Sequence, residues 1–171
     1  MNIVGTVIPY AGIVDTQAKQ ELKSKGWLFC DGSAVSRTEY NDLFNVIKIM
    51  YGGGDGVNTF NLPNYQGQFL RGVSNNSGVD PDANTRTPQQ NGKDEPGTSK
   101  GNTVGTFQQD QIIRHNHPIK LWSRSFKGDD DSDRPFDNLG SDRGYSEINE
   151  NGGAETRSKN VSVNYLISFK A

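Results

Sequence analysis

The chain has 171 residues, of which 32% are apolar and 20 are glycine, enough for one ordinary core and too few for two. Its formal net charge of −2, with acids and bases interspersed, supplies no basic stripe for a phosphate backbone, which excludes nucleic acid as a partner. The single cysteine, Cys30, excludes an intramolecular disulfide, and no run approaches the ~18 apolar residues of a membrane span, so no membrane insertion is expected. A core this small for the chain length makes self-association or a metal the expected staple.

In chain order, the opening "MNIVGTVIPYAGIV" is apolar but lacks a positive n-region and is broken by Gly5, Pro9 and Gly12, so no signal peptide is expected and synthesis is placed in a cytoplasm. "GWLFCDG" reads as a short strand. "SRTEYNDLFNVIKIMYGGG" predicts one short helix, with Ser36 and Glu39 in capping-box spacing, Tyr40, Leu43, Phe44 and Ile47 on one face, and an end at the Gly52 to Gly54 run. "NTFNLPNYQGQFLRG" follows as strand and ordered turns, and Trp27, Phe29, Phe60, Leu62 and Phe69 are the core candidates. "YGGGDGVNTF" is glycine-rich, but no Gly-Lys-Ser/Thr follows, so its glycines are assigned to turns and close packing, not to phosphate binding. Cys30, in an apolar stretch, is read as packing and not as a nucleophile.

Between Ser74 and Thr103 the only aliphatic side chains are Val79 and Ala83, so the segment cannot build a core of its own. Two uses stay open for it: clasping a neighbouring chain or docking a partner component. The segment from Ser123 to Glu155 is again polar and turn-rich, and "NVSVNYLISFK" closes the chain in strict alternation. Val161, Val163, Tyr165, Ile167 and Phe169 fall on one side and only Leu166 interrupts the polar other side, which predicts a strand with one buried and one mostly wet face.

His115 and His117, the only two histidines, stand one residue apart in "QDQIIRHNHPI". In an extended segment both imidazoles point the same way, yet two ligands are too few for a tetrahedral or octahedral ion. Three chains around a threefold axis would supply six imidazoles; the alternative is a pair of solvated loop histidines. No Ser, Cys or Lys nucleophile motif accompanies the pair, so catalysis is not expected. "DDDSDR" from Asp129 imitates a calcium loop at three positions, but Arg134 stands where the turn glycine belongs and Gly140 where the bidentate Glu belongs, so a solvated acidic loop is the preferred reading. Trp122, Phe126, Phe136 and Tyr145 lie among charged and turn residues; they suit contact with sugars or a partner protein, or else small satellite cores.

"GTVIPYAG", "GWLFCDGSAVSRTEYNDLFNVI", "YGGGDGVNTFNLPNYQGQFLRGVS" and "ETRSKNVSVNYLISF" together resemble the phage tail collar domain family, over about residues 3 to 74 and 155 to 169. That family includes tail fibres and short tail fibres, components of contractile injection systems, and small microcystin-dependent-like bacterial proteins. The resemblance implies an α+β collar fold with one short helix, short strands and long loops, assembled as an intertwined homotrimer with a loop-rich tip insertion. It also implies a transition-metal ion on the trimer axis, iron or zinc with nickel as a further fit, held by His115 and His117. The chain then divides into the first part of the collar core at 1–73, a polar loop insertion at 74–106, the His-x-His segment at 107–118, a variable receptor-binding tip at 119–154 and the closing collar strand at 155–171. The expected partners are further copies of itself, other tail or baseplate components, and a host cell-surface glycan or protein; no enzymatic activity is expected. The expected location is a virion tail or tail-like injection particle, after synthesis in a bacterial cytoplasm. Unlike long fibres of that kind, the sequence carries no fibrous repeat before the collar and resembles a free-standing collar and tip. A structural adaptor of an injection particle and a metal-dependent hydrolase of cell-surface polymer are the competing readings.

Overall fold

A computed structural model describes residues 2–89, 97–111 and 158–171. The chain divides into two compact units, residues 1–109 with 159–171, and residues 110–158; the second lies almost wholly outside the described residues. In the first unit, β1 (Val7–Tyr10), α1 (Thr16–Ser24), β2 (Trp27–Phe29), β3 (Ala34–Ser36), α2 (Asn41–Ile47) and β4 (Thr59–Asn61) come in quick succession. A turn of 3₁₀-helix (Ala83–Thr85), β5 (Thr87–Pro88) and β6 (Thr106–Phe107) follow, and β7 (Asn164–Ser168) closes it. This is a small α+β fold of short antiparallel strands, but with two helices where the sequence reading expected one.

The unforeseen helix is α1. It holds few apolar residues and buries none of its side chains, so it gives no hydrophobic stripe to read. Its signals are local: the Asp15 carboxylate accepts from the Ala18 N–H at 2.7 Å, Lys23 sits in the last turn, and Gly26 follows with φ +88°. Long side chains then tie it down, Lys19 to Asp31 at 3.1 Å and Lys23 to Glu39 at 2.8 Å.

Helix α2 buries the face that its periodicity predicts: Leu43 is fully enclosed, Ile47 and the preceding Tyr40 are buried, and Phe44 packs partly against them. The predicted capping box forms only by half. The Ser36 hydroxyl accepts from the Glu39 N–H at 3.2 Å, but the Glu39 carboxylate pairs with Lys23, and the helix begins only at Asn41. It stops at Lys48, where φ turns to +48°, ahead of the glycine run. Cys30, Tyr51, Phe60, Leu62 and Ile167 complete the core. Trp27 and Phe29 are half-buried, and Phe69 is 71% exposed; the chain leaves the sheets after the Leu62-Pro63 turn, so Phe69 has no layer to enter.

The main sheet has the order β1-β7-β2, entirely antiparallel, so the last strand in sequence is the central one in space. Ile167 faces Val7 on one side and Leu28 on the other. Backbone bonds extend the pairing, from Gly5 N–H to Ser168 O at 2.9 Å and from Cys30 N–H to Tyr165 O at 3.0 Å. The expectation of one buried and one wet face fails here. Leu166, Ile167 and Ser168 are all buried in succession, whereas Val161 is 89% and Val163 40% exposed. Successive strand residues face opposite ways, so three buried in a row mean that the strand is covered on both faces.

Candidate functional site

His115 and His117, and the aromatic residues Trp122, Phe126, Phe136 and Tyr145, lie outside the described residues, as do the acidic loop at Asp129 and both ends of the proposed tip. Among the described residues no group of three or more His, Cys, Asp or Glu is placed to hold a metal ion, and no helix is long and apolar enough to cross a membrane. The site geometry on view is therefore that of the collar and of the polar insertion lying on it.

The glycine-rich loop between α2 and β4 is a fastened turn. Asp55 draws in the backbone N–H groups of Val57, Asn58 and Thr59 at 3.0, 2.7 and 2.8 Å, which holds its carboxyl far below the ordinary range. At Gly54, with φ +61°, an added Cβ would stand 2.8 Å from the Thr59 backbone, so only glycine fits. Arg37 spans the loop from outside, donating to Thr59 O at 2.7 Å and Gly53 O at 3.0 Å, with its guanidinium over the Phe44 ring. These three amides are committed to Asp55 and are not available to a phosphate.

Cys30 is buried, and desolvation pushes its thiol up to about 12, so it stays a neutral packing group. Beside it, the Tyr51 and Tyr65 hydroxyls meet at 2.9 Å, and burial raises both, keeping each a neutral hydrogen-bonding phenol.

The polar insertion supplies the least expected geometry. Its β5 pairs with β6, and the Gln89 side chain bonds the backbone of Asn64 in both directions, accepting from the N–H at 3.0 Å and donating to the C=O. Thr98 N–H reaches Ile49 O, and Gly97 lies so near Met50 O that an added Cβ would clash at 2.3 Å. Asp80, 6% exposed at its side chain, lies between Arg71 at 3.5 Å and Arg86 at 3.3 Å, and Arg86 also donates to Gln108 Oε1 at 3.1 Å. A segment with almost no apolar residues thus docks on its own collar through amides and guanidinium groups. Two adjoining cavities of about 410 and 400 Å³ open along this seam, sharing Gln68, Gln89, Phe107 and Gln109 in their walls. The sequence reading named none of these residues as a site; the one available signal was the density of Asn, Gln and Arg around two isolated phenylalanines.

Residues 5–70 match the phage tail collar domain family. The chain is 32% identical over 151 residues to Protein RhiB of Rhizobium leguminosarum bv. viciae, an alignment that spans 87% of this chain and 66% of that protein. It is 26% identical over 201 aligned positions to the short tail fiber protein gp12 of Enterobacteria phage T4, across 99% of this chain and 36% of that protein. The chain spans less than two thirds of either relative. The short strands around α2, the Leu-Pro turn that follows β4, and the match over this same stretch agree: residues 5–70 of the chain are a phage tail collar domain.

Proposed function

We propose that this protein is a non-enzymatic, tail-fibre-like attachment protein of a phage tail or tail-like contractile injection particle, working as a homotrimer. The observation that carries the reading is that similarity to a short tail fibre runs through 99% of the chain, well beyond the collar at 5–70. In this reading residues 119–154 form the distal tip, where Trp122, Phe126, Phe136 and Tyr145 meet a host glycan or protein. Three copies of a weak site then act together through avidity. His115 and His117 would hold a transition-metal ion on the threefold axis. The donor chemistry fits, since two imidazoles per chain give an all-nitrogen set suited to iron, zinc or nickel. The ion would supply cross-linking between chains, and a shell of six imidazoles leaves no open position for substrate.

The test is absolute mass and metal content measured on one purified sample. A particle of three chains with about one ion supports the reading, and a metal-free monomer overturns it. A second reading is a structural adaptor without receptor specificity. Such an adaptor would co-purify with particle components yet fail to adsorb to any host cell.

A further inference from the structure

We propose that the seam between the collar and its polar insertion is a binding site for an acidic sugar unit, a pyranose bearing a carboxylate. The site is independent of the tip, since all the residues that line it lie between 51 and 109. Three features of the two joined cavities point to that ligand class. Side-chain amides dominate the polar wall, with Asn64, Gln68 and Gln109 on it, and an amide offers both a donor and acceptors, as a sugar hydroxyl requires of its partner. Phe107 lines both cavities and Phe69, 71% exposed, lines the second; flat apolar faces beside amides suit the C–H face of a pyranose ring.

The third feature is charge. Among the described residues, Arg71 and Arg86 are the only charged ones lining either cavity, and no described carboxylate does so. Both guanidinium groups approach the single Asp80 carboxylate, so among the described residues one positive charge is left uncompensated. Arg86 is largely enclosed at 14% side-chain exposure, whereas Arg71 is 49% exposed and its fork is open to a second carboxylate. The volume of about 400 Å³ in each cavity is in the range of small-ligand sites and accommodates a short saccharide.

Calorimetric titration of the full chain with digalacturonate, and with the uncharged galactobiose as reference, tests the assignment. Digalacturonate is expected to bind about tenfold more tightly than galactobiose, the equivalent of one charge-assisted hydrogen bond. Arg71→Gln should erase that preference, and Phe69→Ala should weaken both sugars by about fivefold through lost stacking. The Arg71 side chain is 49% and Phe69 71% exposed, so the variants should keep the wild-type melting temperature. No binding of digalacturonate at millimolar concentration overturns the proposal, and so does binding that Arg71→Gln and Phe69→Ala leave unchanged.

Discussion

The Asn61 amide is fully buried and joins two loops, accepting from Gly54 N–H at 2.7 Å and donating to Gly32 O at 3.0 Å. Replacing it with alanine removes both partners at once and leaves a buried donor and acceptor without water. The expected loss is about 2–4 kcal/mol in chemical denaturation. Asp55, in the same loop, makes a pH-dependent contribution whose sign follows from its lowered folded-state value. Its stabilisation is complete above the ordinary carboxyl value of 3.8 and is lost as pH falls below it. Melting temperatures followed from pH 6 to pH 2 should drop at the acid end, and Asp55→Asn, which keeps an acceptor oxygen but cannot titrate, should flatten that drop. The sequence disclosed the glycines of this loop as turn residues. It did not disclose Asn61, because a polar residue between Phe60 and Leu62 looks the same whether it faces solvent or two backbones.

Helix α2 was legible because its apolar residues repeat with the helical period, and the same residues enter the core. Helix α1 was not, since a helix that buries nothing is held by its cap and by ion pairs, and those signals are spread over single polar residues. The alternation in β7 misled for a different reason. Which faces of a strand are covered depends on its neighbours, and β7 lies between segments near the opposite end of the chain. The polar insertion is the clearest case of structure exceeding pattern: composition reports only that it lacks a core, whereas Gln89 seats it by mimicking a paired strand against Asn64. Gln89→Ala should detach the insertion locally, at a cost of about 1–3 kcal/mol to that segment. Limited proteolysis should then cut between residues 74 and 103 while α2 and the main sheet remain protected. Cleavage that begins in the main sheet would contradict this division.

For the assembled particle, the His-x-His pair is the testable element. In the proposed trimer, metal ligation by three chains would be available only when all three converge, so its energy would be assembly energy. His117→Ala should therefore lower bound metal and shift the mass distribution toward monomers on dilution, with little change in the circular-dichroism signal of the collar. A variant that loses metal but stays trimeric at nanomolar concentration would show that the collar associates without the ion. The collar family itself was readable from four short motifs, because these are specific in combination. The tip was not readable in that way, since turn-rich polar sequence fixes neither its contacts nor its ligand.

The central position of β7 has one more consequence. The excursion leaves after β6 and returns in β7, a strand gripped on both edges by β1 and β2. Both attachment strands are thus fixed by pairing, β6 on β5 and β7 between β1 and β2, and not by the length of chain strung between them. Loop-closure entropy grows only logarithmically, so doubling that length costs about 0.6 kcal/mol, less than a single buried methylene. A collar built this way is a socket: insertions of very different size and chemistry can be exchanged between the same two anchors, and diversification of what is presented need not disturb what presents it.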